Sequence, residues 1–256
     1  MDVLQYAGLV AAAFAAGAIN AVAGGGSLIS FPALIAVGYA SKTANVTNTT
    51  ALWPGYVGGS VGYREELKGQ RGRLIQIAIP NVAGAAVGTV ILLLTPGSAF
   101  AAIVPYLVLF ACVLMAFQDR IGAYTEHHRA AFAATGRMPA PVFAAMFVLG
   151  IYGAYFGAAL GIMTLAVFSI FLAEDIQRLN ALKGVSSLII NAVAVVGFML
   201  FGPVRWLPAA FMAVGAIAGG YLGVGVARRL GKRWLRIAVI SYGLVFVVVL
   251  LVKQYS

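Results

Sequence analysis

The chain has 256 residues, of which 62% are hydrophobic and 9% are charged, whereas a soluble domain carries about 25% charged residues. A soluble core has no room for that much apolar surface, so the composition excludes an ordinary soluble fold. The formal net charge of +10 would suit a nucleic-acid-binding protein, but the basic residues fall in separate loops rather than on one surface. We therefore expect no nucleic-acid partner.

Eight apolar segments follow one another along the chain and determine the predicted fold. They are 4–37, 44–63, 74–94, 98–118, 140–172, 180–201, 207–227 and 234–252. Six have the roughly 20-residue length of a helix that spans a bilayer, and the first and fifth are much longer. The period-2 alternation of a barrel is absent from these segments, so we predict an all-α integral membrane protein that contacts the lipid bilayer.

Most of the positive charge lies between the apolar segments. Three loops hold twelve of the seventeen lysines and arginines: Arg64, Lys68, Arg71 and Arg73; Arg120, Arg129 and Arg137; and Arg228, Arg229, Lys232, Arg233 and Arg236. The positive-inside rule places all three loops in the cytoplasm. The charge is thus interpreted as a topology signal.

The chain is predicted to contain two copies of one helical unit. An ungapped shift of 135 residues superposes Gly26 on Gly161, Asn45 on Asn180, Gly84 on Gly219 and Gly88 on Gly223. The asparagine pair carries much of the weight, because glycine coincidences are common in such a sequence. We predict a first transmembrane repeat at 1–118, a cytoplasmic linker at 119–139 and a second transmembrane repeat at 140–256.

The loop charges predict that the two repeats are inverted. Loop 64–73 is basic, whereas its counterpart 199–208 holds only Arg205; loop 95–98 is uncharged, whereas its counterpart 230–233 lies in the most basic loop. Equivalent loops therefore carry opposite topology signals. Inversion requires an odd number of crossings per repeat, so each long first segment must go in and come back as two short arms. The expected arrangement is five plus five with both termini outside, and four plus four remains the alternative.

Glycines interrupt both long segments near the middle, at Gly24-Gly25-Gly26-Ser27 and at 157–161, which begins and ends with Gly157 and Gly161. Each glycine weakens a helix by roughly 1 kcal/mol relative to alanine, so the helix is expected to break and to leave amides unpaired. A new helix that starts at Ser27 would direct its positive end and free N–H groups at a cavity. An anion is the natural occupant, while close helix packing is the alternative role of any single glycine.

Each repeat also has a polar cluster within a predicted span. The first contains Asn45, Thr47, Asn48, Thr49 and Thr50, and the second contains Asn180, Lys183, Ser186, Ser187 and Asn191. Positions 180, 183, 187 and 191 share one helix face. A lysine inside a span is normally paired or functional, although Lys183 would be innocuous if it snorkelled to the interface. Helix–helix hydrogen bonding is the alternative for the amides and hydroxyls.

These features predict a binding site for a small anionic substrate. Its predicted residues are Gly24, Gly25, Gly26, Ser27, Asn45, Asn48, Thr49, Gly157, Gly161, Asn180 and Lys183. The 135-residue shift also aligns Asn20 with Tyr155, as weaker candidates for the cavity wall, and Trp53 lies within a span where it would line the path. Trp206 and Trp234 border loops and are interpreted as interface anchors. We expect no cofactor, no metal site and, with Cys112 as the one cysteine, no intrachain disulfide.

Two stretches of the first repeat, residues 17–34 (GAINAVAGGGSLISFPAL) and 44–49 (ANVTNT), resemble the sulfite exporter TauE/SafE family of transporters. Residues 150–157 and 179–183 extend the resemblance to the second repeat, although Ala158-Ala159-Leu160 replaces further glycines that the family often has. The resemblance implies a multi-pass protein of a bacterial inner membrane that handles sulfur-containing anions such as sulfite, sulfoacetate or other organosulfonates, usually by export.

Other functions remain possible at this point. A passive anion channel would share the positive, glycine-lined path without alternating access, and the transported anion need not contain sulfur. An intramembrane enzyme is disfavoured, because no His-Glu-x-x-His motif occurs and both histidines, His127 and His128, lie in a predicted cytoplasmic loop. A further alternative is a membrane scaffold for a partner protein, in which apolar residues could replace both polar clusters without loss of function. We therefore expect a transporter, not an enzyme, whose oligomeric state is unknown.

Overall fold

The computed structural model describes residues 2–22, 24–121, 140–172, 174–229 and 232–255. Within these ranges the chain forms ten helices of ten residues or more and no strand, so the all-α prediction is confirmed. The helices are α1 (Val3–Val22), α2 (Ser27–Ala36), α3 (Ser41–Gly62), α4 (Arg71–Leu94), α5 (Gly97–Ala116), α6 (Ala140–Tyr155), α7 (Leu160–Phe171), α8 (Ile176–Phe201), α9 (Trp206–Arg229) and α10 (Lys232–Tyr255).

All six apolar segments of ordinary length form single helices, namely α3, α4, α5, α8, α9 and α10. By length and composition, five helices of the described chain can cross a membrane: α1, α4, α5, α8 and α9. Helix α3 is less apolar, because it carries the polar run 45–50. Many large apolar side chains on these helices are exposed, among them Ile79, Leu200 and Val214, as expected for helices that face lipid.

Each long segment is broken where its glycines were found. The first divides into α1 and α2 at residues 23–26, and the second divides into α6 and α7 at residues 156–159. Gly24 and Gly157 have φ angles of 71° and 73°, which interrupt a right-handed helix and which glycine adopts at little cost. A Cβ on Gly26 would clash with the carbonyl of Ala16, so the chain folds back on α1 at this break.

Glycines let two pairs of helices approach closely. A Cβ on Gly219 of α9 would clash with the carbonyl of Phe14 in α1, and a Cβ on Gly84 of α4 would clash with the carbonyl of Phe147 in α6. Such contact between backbones is typical of small-residue interfaces in membranes. Each of these pairs joins a helix of the predicted first repeat to a helix of the predicted second repeat.

Helices α3 and α8 pack against each other and run antiparallel. Trp53 Nε1 donates to the carbonyl oxygen of Leu188 at 3.3 Å, and these two residues are equivalent at the 135-residue shift. Ser60 lies beside Gly184 on one side of this crossing, and Val46 lies beside Gly202 on the other. The two helices therefore cross with opposite chain directions, at residues that are 135 positions apart in the sequence.

The packing corrects the alignment of α1 and α2 with α6 and α7. Gly17 contacts Ala216 and Gly150 contacts Asn81. Ala216 and Asn81 are 135 residues apart, whereas Gly17 and Gly150 are 133 apart. The pairs Gly26–Gly161 and Asn20–Tyr155, which the ungapped shift gave, are therefore wrong. At an offset of 133 residues, Asn20 is equivalent to Gly153. Helix α7 has 12 residues and α2 has 10, so the offset becomes 135 after these helices.

Parts of the predicted topology lie outside the described residues. Residues 122–139, which include most of the predicted linker 119–139 with Arg129, Arg137, His127 and His128, are among them. The side chains of the third basic group and of Trp234 also lie outside the described part. The repeat boundaries and the inverted arrangement stay predictions.

Candidate functional site

The two helix breaks meet inside the protein. A Cβ on Gly24 would lie 2.6 Å from the Cα of Gly161, and a Cβ on Gly161 would lie 2.8 Å from the Cα of Gly24. The backbones are thus in direct contact at these two positions, and any larger residue at either one would separate them. We call this contact the junction of the breaks. It brings together residues from both repeats.

Lys183 lies at the junction. Its side chain is 2% exposed, and its Cδ is 3.4 Å from the position that a Cβ on Gly161 would occupy. The ammonium group donates to Asn180 Oδ1 at 3.0 Å, so two of the predicted site residues are in contact. Because the side chain is buried, Lys183 does not snorkel to the protein surface.

The first polar cluster links the repeats. Asn45 Nδ2 donates to the carbonyl oxygen of Tyr155 at 3.0 Å, at the end of α6. Thr47 Oγ1 accepts from the backbone N–H of Arg205 at 3.0 Å. Asn48 is 1% exposed, and its Oδ1 has no hydrogen-bond partner in the described chain. Thr49, 7% exposed, lies on the same helix.

The polar clusters do not form one group. Asn48 and Lys183 each lie five residues before the crossing of α3 and α8 at Trp53 and Leu188. Because the helices are antiparallel, the two positions are on opposite sides of the crossing, roughly 15 Å apart along the helix axes at 1.5 Å per residue. The expectation that Asn45, Asn48, Asn180 and Lys183 surround a single anion is therefore not supported by this arrangement.

The amides of the three glycines at the first break are not free, contrary to prediction. Gly24 N–H donates to the carbonyl oxygen of Ile19 at 2.9 Å. Gly25 N–H and Gly26 N–H both donate to Asn20 Oδ1, at 3.1 and 2.8 Å. Asn20 sits in the last turn of α1, and the fold-back at the break brings its side chain onto these donors. The three glycines break the helix as expected, but the protein supplies its own acceptors.

The second break has different partners. Gly157 N–H donates to the carbonyl oxygen of Tyr152 at 3.1 Å, and Leu160 N–H donates to that of Gly157 at 3.2 Å. Tyr152 O–H donates to the carbonyl oxygen of Ala158 at 2.6 Å. Ala159 has a φ of 60°, a left-handed conformation that is uncommon for a residue with a side chain.

An ion-pair cluster at one end of the bundle was not predicted. Glu174, between α7 and α8, pairs with Arg73 at 2.6 Å and with Arg178 at 2.9 Å. Burial disfavours the charged carboxylate, but the hydrogen bond and charge of Arg73 and the charge of Arg178 keep the pKa of Glu174 below its usual range. The i,i+4 spacing of Glu174 and Arg178 was the available sequence signal. Gln70, which donates to the carbonyl oxygen of Arg178 at 3.2 Å, strengthens the same contact.

The described residues contain no group of three or more His, Cys, Asp or Glu side chains placed to hold a metal ion.

Comparisons with known proteins agree with these features. The model of the sulfite exporter TauE/SafE family matches residues 9–250. A protein called probable membrane transporter protein from Haemophilus influenzae is 27% identical over 224 residues, which are 87% of this chain and 85% of the relative. Probable membrane transporter protein ORF9 of Sinorhizobium is 25% identical, over 89% and 85% of the two chains. Probable membrane transporter protein YfcA of Escherichia coli is also 25% identical, over 88% and 81%.

No solved structure matches the chain significantly. The family model covers almost the whole sequence, and the relatives are aligned over most of their own length. Together with the apolar helices, this shows a multi-pass membrane transporter. The chain belongs to the sulfite exporter TauE/SafE family.

Proposed function

We propose that this protein carries a small anion across the bacterial inner membrane by alternating access, and that a sulfur oxyanion or organosulfonate such as sulfite or sulfoacetate is its substrate. The observation that supports an anion best is the burial of Lys183, 2% exposed, at the junction of two helix breaks. A buried ammonium group costs several kcal/mol unless a charge or strong acceptors compensate it.

The surroundings of Lys183 favour a bound anion as its counter-charge. Asn180, which accepts from the ammonium group, is neutral. None of the acidic side chains in the described chain is buried, so the core offers no carboxylate to balance the charge. A substrate anion would place a negative charge beside the buried ammonium group, and the absence of a buried carboxylate among the described residues fits transport without a carboxylate proton relay.

Alternating access requires two ends that open in turn, and contacts between the repeats occur at both. Arg73 pairs with Glu174 at one end, and Thr47 binds the Arg205 amide at the other. The antiparallel crossing of α3 and α8 supports inverted repeats, whose two conformations would be related by exchange of these contacts. An inside-negative potential favours outward movement of an anion by about 2.3 kcal/mol per charge per 100 mV, which favours export.

The test is uptake of ³⁵S-labelled sulfite into proteoliposomes, with sulfoacetate and a carboxylate of similar size as competitors. Wild type is expected to show saturable uptake, and Lys183→Met to lose at least nine-tenths of it, because methionine keeps the length of the side chain without the charge. Lys68→Met, at an exposed lysine, is the matched control and should transport normally.

The outcomes separate the possibilities. Flux that follows the voltage without saturation would identify a passive channel instead. Saturable uptake of the carboxylate in preference to both sulfur compounds would redirect the proposal to another organic anion. Equal transport by wild type and Lys183→Met would remove the junction from the mechanism.

A further inference from the structure

The two helix breaks differ in one respect that concerns anion binding. In the first, the side chain of Asn20 occupies the amides five and six residues later, those of Gly25 and Gly26. The structurally equivalent residue in the second repeat is Gly153, and the amides five and six residues after it belong to Ala158 and Ala159. Gly153 has no side chain, so nothing equivalent to the Asn20 oxygen is available there.

The backbone donors of the second break are accordingly open. In the described chain, no hydrogen bond engages the amides of Ala158, Ala159 or Gly161. Unoccupied N–H groups at the start of a helix are the usual donors of an anion site, and the positive end of the helix dipole adds to them. Helix α7, which starts at Leu160, has 12 residues, enough to present such an end.

A second, independent feature lies on the same helix. The Thr164 hydroxyl is fully buried and has no hydrogen-bond partner in the described chain. Two other buried threonines, Thr89 and Thr50, donate to the carbonyl oxygen four residues earlier in their own helices, at 2.7 and 2.9 Å. Helical side chains lean toward the N-terminus, so Thr164 lies over the turn that contains Gly161.

We propose that one oxyanion binds at the N-terminal end of α7, where it accepts hydrogen bonds from the amides of Ala158, Ala159 and Gly161 and from the Thr164 hydroxyl, with Lys183 beside it. The first break binds no anion, because Asn20 already accepts from the amides of Gly25 and Gly26. This proposal rests on the proposed anion transport. It adds the position of the substrate site and the number of sites per chain, which is one.

The donor set also defines the class of ligand. Three amides, a hydroxyl and an ammonium group offer hydrogens in several directions, which suits a group with two or three charged oxygens, such as sulfite or a sulfonate. A halide or thiocyanate would have fewer acceptor sites for the same donors. We therefore expect other oxyanions to displace bound sulfite from the site more strongly than halides do.

The decisive variant is Gly153→Asn, which should cap the second break as Asn20 caps the first. Gly153→Ala is its matched control, because both variants add the same Cβ, whose nearest neighbours are side-chain atoms, the Ile190 Cγ2 methyl and the two Leu160 Cδ methyls. Equilibrium dialysis of the purified full chain in detergent with ³⁵S-sulfite is expected to give one site per chain in wild type. Gly153→Asn should bind at least tenfold more weakly than Gly153→Ala, as expected for the loss of hydrogen bonds to a charged group.

Thr164→Val provides a second test that keeps the shape of the side chain. It is expected to weaken binding about tenfold, whereas Ser30→Ala, which removes a buried hydroxyl of α2 that bonds Gly26, should leave the affinity unchanged. Two sites per chain, or equal affinities for Gly153→Asn and Gly153→Ala together with an unaffected Thr164→Val, would overturn the assignment while leaving anion transport in place. A wild-type protein that neither binds nor transports any of the anions would overturn both proposals.

Discussion

Asn20 fixes the first helix break, and its truncation is expected to destabilise the protein. The Asn20 Oδ1 atom accepts from the amides of Gly25 and Gly26, at 3.1 and 2.8 Å, and both glycines are buried. Asn20→Ala would leave two buried donors without an acceptor. Each such donor costs about 1–3 kcal/mol, so the free energy of unfolding should fall by about 2–6 kcal/mol.

Asn191→Ala is the matched control for this prediction. Asn191 is also buried, but its side chain only donates to the Ser187 carbonyl within its own helix, and that carbonyl keeps its helical partner when the side chain is removed. Unfolding in detergent, followed by circular dichroism against temperature or increasing sodium dodecyl sulfate, compares the two variants. Equal stability of Asn20→Ala and Asn191→Ala would refute the idea that Asn20 supports the break.

Two further predictions concern packing and charge. Gly219→Leu should destabilise the protein by about 1–3 kcal/mol or more, because its side chain would collide with the Phe14 backbone, whereas Gly8→Leu, where a Cβ meets nothing, should be neutral in the same unfolding assay. The depressed pKa of Glu174 means that its ion pair with Arg73 stabilises the protein above the usual pKa of a glutamate and that this stabilisation is lost as the pH falls through the folded value. Wild type should therefore lose stability in acid to a greater extent than Glu174→Gln, and parallel curves of melting temperature against pH would contradict this.

The helices were predictable because the bilayer sets their length. Each of the six apolar segments of about 20 residues forms a single helix. Glycines indicated the positions of both breaks, since a residue with positive φ cannot continue a right-handed helix. The two additional residues of α7 were missed. An ungapped comparison keeps a constant offset, so it aligned Gly26 with Gly161 by coincidence and concealed the equivalence of Gly24 and Gly157, which the φ angles reveal.

The site was only partly predictable, for a different physical reason. Lys183 was conspicuous because a cation among apolar residues has few harmless explanations. The contact between Gly24 and Gly161 depends on how distant segments pack, which local pattern does not contain. The role of Asn20 was missed because its acceptor reaches amides five and six residues later only after the chain has folded back. An asparagine in the last turn before a glycine run is a signal that other sequences can be searched for.

The two predicted repeats differ at two positions that concern anion binding. Lys183 occupies the position equivalent to Asn48, and Gly153 occupies the position equivalent to Asn20, so the predicted second repeat has a cation where the first has an amide and lacks the acceptor that Asn20 provides. A second buried lysine at position 48 would double the desolvation cost, whereas a single lysine with open amides gives one strong position for an anion. A transporter must also release its substrate. A path with a single strong anion site binds the substrate once and has no second, equally strong site that would retain it.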